Sequence, residues 1–351
     1  MSLFEKIINL FLSPAKSIEY LKINDNDNFV VISNTALGDT LLSTPAIKSL
    51  KKSFPNNKII AVLKSNFSPL FRNFEYIDEI IEYNGKYNDF FKIMFRIKKY
   101  NPKITLIFHS NSPQDIQLAV LSGSEYILKH PTKNYLKKYL SYDFIKKNQH
   151  AIEDRLDLIK KIGGKIIEKE MKIGNVLNKE YLQFKNYIGF QVGAADVYKM
   201  WPIERFSKLA EKLLKNNEKI VILGTQNEKK LGDKIIQNVG NKNIVNMCGK
   251  TNIIELANIV NNLKMLITND TGTMHLAIAL KTPTVSLFSA TDSKTIGPYQ
   301  DLELHKVIQK NGSFVQKLPK KQRDNSAMQL IDVNEVFEKY EELNNYLKSR
   351  K

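Results

Sequence analysis

The residues best placed to do chemistry are Asp270-Thr271-Gly272-Thr273-Met274-His275, which end an apolar strand and open an Ala-rich helix. A strand, a glycine-containing turn and a helix bring free backbone N–H groups and the positive end of the helix dipole to one point. Such a point holds a phosphate, with Asp270, Thr271 and His275 beside it. Two other motif readings fail here. Asp270-Thr271-Gly272-Thr273 has the letters of an aspartic protease site, but that chemistry needs two carboxylates sharing a proton, and the chain has one copy. Gly249-Lys250-Thr251 would end a P-loop only if residue 244 were glycine, and it is Ile244.

Four further windows place reactive side chains after predicted strands. In Ser33–Pro45, Gly38 permits a tight turn and Asp39 stands where a helix begins. There the carboxylate can take a proton from a sugar hydroxyl, or merely cap the helix. In Gln191–Pro202, Gly193, Ala194 and Ala195 let a ligand approach the backbone, and Lys199 supplies a cation for a phosphate oxygen. Trp201 reads as packing. In Leu223–Glu228 an acid follows a strand, suited to ribose hydroxyls or to capping. Thr251 closes the Gly249-Lys250-Thr251 loop, which reads as lining a base pocket.

These windows need a scaffold of alternating strands and helices, and the chain supplies it from residue 29 onward. Phe29–Ser33, Lys58–Leu63, Ile77–Glu82 and Lys103–Phe108 form a first strand series. Tyr187–Val192, Lys219–Leu223, Asn243–Asn246, Met265–Thr268 and Thr284–Phe288 form a second. The segment 123–180 reads as less regular, and Val333–Leu347 as a final helix. Alternation of this kind implies parallel sheets covered on both faces. With 351 residues, above the roughly 250–300 at which single cores stop growing, two doubly wound domains facing a cleft are expected.

Residues 3–22 place Leu3, Phe4, Ile7, Ile8, Phe11, Ala15, Ile18 and Leu21 on one helical stripe, which Ser13-Pro14 divides into two helices. The stripe packs on the protein itself or lies on a membrane interface. Asp25-Asn26-Asp27 resembles a metal-binding Asp-x-Asp but precedes a strand, so no metal is expected. A single Cys248 excludes a disulfide framework, and no apolar run nears the roughly 20 residues of a membrane span. A cytoplasmic protein, peripheral at most, is expected. The net charge of +17 partly reflects a Lys-, Asn- and Ile-rich composition. The remainder suits an acidic glycan or an anionic membrane; no recognition motif supports specific nucleic-acid binding.

Together these windows resemble glycosyltransferase family 9, the bacterial lipopolysaccharide heptosyltransferases. The residues that carry the resemblance are Gly38-Asp39 with Pro45; Gly193-Ala194 with Lys199-x-Trp201-Pro202; Gly224 to Glu228; Gly249-Lys250-Thr251; and Asp270-Thr271-Gly272-x-x-His275-Leu276-Ala277. Thr282-Pro283, Leu287-Phe288-x-x-Thr291-Asp292 and Gly297-Pro298-Tyr299 extend it, so that it spans about 29–299. It implies a GT-B fold of two Rossmann-like domains: an N-terminal extension over 1–28, an acceptor domain over 29–180, a nucleotide-sugar donor domain over 181–330, and a helix over 331–351 packing back on the first domain. It also implies inverting, metal-independent transfer of heptose from ADP-heptose to an inner-core acceptor, without a cofactor. On that resemblance Asp39 is the general base. The donor site comprises Gly193, Ala194, Lys199 (diphosphate), Glu228 (ribose), Thr251, Asp270 (sugar hydroxyls), Thr271, Gly272 and His275. Gly38 and the basic residues Lys133, Lys137 and Lys138 would face a lipid-linked acidic acceptor. The chain departs from the family pattern at Ser33, where a basic residue is common, and at Ala194 and Ala195, where some members carry hydroxyls. A family 9 transferase for another nucleotide sugar, or a non-catalytic nucleotide-sugar binder, are the competing readings.

Overall fold

Phe29-Val30-Val31-Ile32 is a run of β-branched and aromatic residues with no exposed surface. A strand buried on both faces belongs at the centre of a parallel sheet, and there it lies. The computed structural model describes residues 10–350 apart from 111, 131–135 and 179. Its chain divides into two compact units, Met1–Val176 and Leu177–Lys351.

In the first unit β1 (Asn28–Ser33), β2 (Ile59–Leu63), β3 (Glu79–Glu82), β4 (Pro102–His109) and β5 (Tyr126–Lys129) form one sheet in the order β3-β2-β1-β4-β5. Every neighbouring pair is parallel. The helices are α1 (Leu37–Ser53), α2 (Phe90–Lys98), α3 (Gln114–Leu121) and α4 (Ala151–Lys161). Pro45 lies inside α1 and has no N–H for the carbonyl of Leu41. The Thr44 hydroxyl donates to that carbonyl instead, at 2.8 Å, so the helix continues.

The second unit holds β6 (Ile188–Gln191), β7 (Ile220–Leu223), β8 (Ile244–Asn246), β9 (Met265–Asn269), β10 (Thr284–Phe288) and β11 (His305–Gln309), in the order β11-β10-β9-β6-β7-β8. It too is parallel throughout. Its helices are α5 (Ile203–Lys215), α6 (Lys229–Val239), α7 (Ile253–Asn262), α8 (Gly272–Ala279) and α9 (Val333–Ser349).

Three expectations are corrected. The final helix, α9, packs in the core of the second unit, where a helix packing on the first was expected. Its Val336, Tyr340 and Leu343 are buried in the second unit's core with Phe206, Leu209 and Leu213 of α5, and Tyr340 donates to Glu218 at 2.6 Å. The proposed helical stripe over 3–22 fails in its described part. Residues 12–17 are non-helical, Ile18–Tyr20 is a single 3-10 turn, and residues 1–9 lie outside the described residues. Ser13-Pro14 and the backbone bonds Lys16 N–H to Glu125 O and Ile18 N–H to Ser141 O hold this stretch extended along the first unit. The segment 123–180 is more regular than expected, because it contains β5 and α4.

His305 opens β11 and is buried, with Nδ1 3.0 Å from the Thr284 hydroxyl. Burial lowers its pKa to about 4, against the opposing pull of Asp301 and Glu303. The unfolded chain takes up that proton below about 6.5 and the folded chain does not, so stability is lost as pH falls from about 6.5 towards 4. We expect the wild type to lose on the order of 1–2 kcal/mol more than His305→Gln between pH 7 and pH 5. Urea unfolding at the two pH values measures it; equal losses contradict it.

Candidate functional site

In open parallel sheets the loops after two neighbouring strands diverge where the strand order reverses, and the crevice they leave binds ligands. The first sheet reverses between β1 and β4, the second between β6 and β9. Of the side chains singled out from the sequence, Asp39 follows β1, Lys199 follows β6 and Asp270 follows β9, whereas Glu228 follows β7, Thr251 follows β8, and Lys137 and Lys138 follow β5; each unit carries its own cluster.

In the first unit, Asp39 stands in the first turn of α1, directly after β1. Its side chain is 24% exposed and meets three groups. The Thr35 hydroxyl donates to Oδ2 at 2.9 Å. His109 Nδ1, from the end of β4, lies 3.3 Å from the same oxygen. Arg155 Nη2, from α4, lies 3.3 Å from Oδ1. Arg155 is itself buried and donates to Ser43 Oγ at 3.0 Å and to the Ala151 carbonyl at 2.7 Å. Burial lowers the His109 pKa to about 4, with Asp39 pulling the other way, so the imidazole is neutral at pH 7. Thr35 Oγ lies 2.9 Å from His109 Nδ1 and has one proton. If that proton goes to the Asp39 carboxylate, the neutral imidazole must carry its hydrogen on Nδ1. Asp39 is thus a carboxylate fixed by a hydroxyl, an imidazole and a guanidinium, with a quarter of its surface open. Beside it Asn34 donates to the buried Asp115 carboxylate at 3.2 Å, and burial raises the pKa of that acid.

In the second unit, Lys199 Nζ lies 2.6 Å from Asp270 Oδ2, and the Thr291 hydroxyl donates to the same oxygen at 2.7 Å. Asp270 is 6% exposed. Asn269 ties the loops together: its Oδ1 accepts from Trp201 N–H at 3.0 Å and its Nδ2 donates to the Val192 carbonyl at 3.0 Å. Trp201 is buried against Phe206, as packing. Thr271 stands at the N-cap position of α8 in extended backbone without a side-chain capping bond, its hydroxyl 3.5 Å from that of Thr268, and Gly272 begins the helix. His275 is buried one turn further on. Glu228 forms a capping box with Thr225, accepting its backbone N–H, so the local account of this acid holds in the structure. Its carboxylate also lies over Gly193, where a Cβ would overlap it, and a Cβ on Gly224 would come within 2.7 Å of it. We expect Gly193→Ala to displace Glu228 and lose about 1 kcal/mol of cap energy. Thermal unfolding would then fall by a few degrees; an unchanged midpoint refutes the packing argument. Thr251 is half-buried before the Asn252 cap of α7. Cys248 is buried and its thiol pushed up to about 12, so it is inert.

The predicted acceptor residues are less united. Gly38 is buried inside α1. Lys133 lies outside the described residues. Lys137 pairs with Asp143 at 2.8 Å and Lys138 lies over the Tyr139 ring. Asp27 in the Asp-x-Asp stretch accepts from Asn24 N–H at 2.8 Å, a turn contact. Among the described residues there is no group of three or more His, Cys, Asp or Glu side chains arranged to hold a metal. Thr35, His109 and Arg155 were missed by reading the sequence. His109 carried a positional signal at the end of a predicted strand. Arg155 carried a helical one, since Ile152, Leu156 and Ile159 share a face between Glu153-Asp154 and Lys160-Lys161.

Comparison with known proteins bears on the family and the fold. The family model "Glycosyltransferase family 9 (heptosyltransferase)" matches residues 129–327. The chain is 27% identical over 276 residues to "Lipooligosaccharide heptosyltransferase 2" of Campylobacter jejuni, covering 76% of this chain and 83% of that protein. It is 24% identical over 343 residues to "Lipopolysaccharide heptosyltransferase 3" of Escherichia coli K12, covering 87% and 95%. The solved "ADP-heptose lps heptosyltransferase II" of E. coli superposes with a TM-score of 0.75 at 19% identity, covering 92% of this chain and 99% of that one. A family 9 structure from Veillonella parvula superposes with a TM-score of 0.79 at 22% identity, covering 92% and 98%. The chain belongs to glycosyltransferase family 9: it is a glycosyltransferase with two Rossmann-like domains of the GT-B fold.

Proposed function

We propose that this enzyme moves heptose from ADP-heptose to an inner-core lipopolysaccharide or lipooligosaccharide acceptor, by direct displacement with inversion and without a metal ion. The observation that carries the reading is the Asp39 carboxylate held by Thr35, His109 and Arg155 in the first unit; the Lys199–Asp270 pair beside the N-terminus of α8 in the second unit supports it separately. Asp39 takes the proton of the acceptor hydroxyl as that oxygen attacks the anomeric carbon. The bond from that carbon to the diphosphate breaks, and the departing charge meets Lys199 and the N–H groups at Thr271 and Gly272. Asp270, with Lys199 withdrawn to the phosphates, accepts from donor sugar hydroxyls. Glu228 and Thr251 border the nucleoside. Lys133, Lys137 and Lys138 attract the acidic acceptor. The names of the relatives support the choice of heptose and of a lipopolysaccharide-type acceptor. The reaction is placed at the cytoplasmic membrane face, where a lipid-linked acceptor is presented.

The test is mass spectrometry of a truncated inner-core acceptor after incubation with ADP-heptose and, separately, with UDP- and GDP-linked sugars. Heptose addition from ADP-heptose alone is expected. Transfer only from another donor overturns the sugar and keeps the chemistry.

A further inference from the structure

Helix α2 is apolar on two faces. Phe90, Ile93, Met94 and Ile97 are buried in the first unit's core. One turn apart on the opposite face, Phe91 and Phe95 are 47% and 58% exposed. Lys92, Lys98 and Lys99 are exposed around them, and the helix contains no acidic residue. Beside it lies a cavity of about 280 Å³ lined by Ser68, Arg72, Ile80, Glu82 and Arg96. There Glu82 accepts from the Ser68 hydroxyl at 2.6 Å. Aromatic rings flanked by lysines on one exposed face are the composition of helices that lie in a bilayer interface: the rings enter the headgroup–acyl boundary and the cations meet lipid phosphates. The net charge of +17 favours an anionic surface in the same sense.

We propose that the outer face of α2 is a binding surface for an anionic lipid bilayer, with Phe91 and Phe95 inserted at the interface and Lys92, Lys98, Lys99, Arg72 and Arg96 facing the headgroups. This surface differs from the one expected of residues 3–22, although Leu10 and Phe11, 81% and 71% exposed, add apolar area to the same unit. Nothing in it depends on which sugar is transferred, so it stands or falls separately from the heptose assignment.

The test is flotation of the full chain with vesicles of phosphatidylcholine, with and without phosphatidylglycerol. Wild type is expected to float with the anionic vesicles, to stay behind with the neutral ones, and to be released by molar salt. Phe91→Ser/Phe95→Ser is expected to lower the bound fraction about tenfold, and Lys92→Glu/Lys99→Glu to do the same through charge. These positions are exposed, so the variants should unfold at the wild-type temperature and transfer sugar to a water-soluble acceptor at the wild-type rate. Leu10→Ser/Phe11→Ser is expected to keep most of the binding. The proposal is overturned if wild type ignores anionic vesicles, if Phe91→Ser/Phe95→Ser binds as wild type does, or if only Leu10→Ser/Phe11→Ser is lost from the vesicles.

Discussion

Asp39→Asn is expected to lower kcat by roughly 10²–10⁴-fold, the usual contribution of a positioned general base, while leaving donor affinity unchanged. Asn keeps the size of the side chain and can still accept from Thr35, so the loss should appear in kcat more than in the acceptor KM. The variant also leaves Arg155 buried with one fewer negative neighbour, and breaking a buried pair can cost about 3–5 kcal/mol. The cost here should be smaller, because Asp39 is 24% exposed and the charge of Asp154 also acts on Arg155. Asp39→Glu separates the two effects. It keeps a negative charge near Arg155 but moves the carboxylate by a methylene. It should therefore be as stable as wild type and still slow by well over tenfold. Initial rates at saturating donor, with unfolding midpoints measured alongside, decide the matter. An Asp39→Asn enzyme within a few-fold of wild type would remove Asp39 from the chemistry.

Lys199→Met carries the second large expectation: a fall of roughly 10²–10³-fold in kcat together with weaker donor binding. On the proposed mechanism the ammonium meets the diphosphate charge as it develops, and methionine replaces it with a neutral chain of similar length. Asp270, almost fully buried, would then lose its counter-charge and keep the Thr291 hydroxyl as a donor, so some loss of stability should accompany the loss of rate. The double variant Lys199→Met/Asp270→Asn distinguishes the two causes. Removing the stranded charge should restore the unfolding midpoint without restoring transfer, whereas Lys199→Arg should recover part of the rate. If Lys199→Met/Asp270→Asn recovers both, Lys199 matters only as a counter-charge to Asp270.

The scaffold was legible because parallel strands buried on both faces are written as uninterrupted apolar runs. Val30–Ile32 and Leu266–Ile267 are such runs, each followed by a small-residue turn. The strand–turn–helix at Thr271-Gly272 was legible for the same reason: a local pattern specifies its backbone, the part proposed to meet the phosphates. The partners of Asp39 were not. Thr35, His109 and Arg155 come from β1's loop, β4 and α4, and they meet only because strand order sets β1 beside β4 and packs α4 on α1. Arg155 was hidden further by the Lys- and Tyr-rich stretch before it, whose turns obscured the short helix. The extended N-terminal stretch was misread because a helical period was counted across Ser13-Pro14, where proline and two long-range backbone bonds decide the conformation. The final helix was misplaced because its apolar stripe shows that it packs but not on what.

The most direct test of the account is the anomeric configuration of the product, read by NMR after transfer from a donor of known configuration by wild type and by Asp39→Asn. A single displacement assisted by Asp39 predicts a fully inverted linkage from wild type and almost none from the variant. A retained configuration would exclude a single back-side displacement, and would contradict the role given to Asp39.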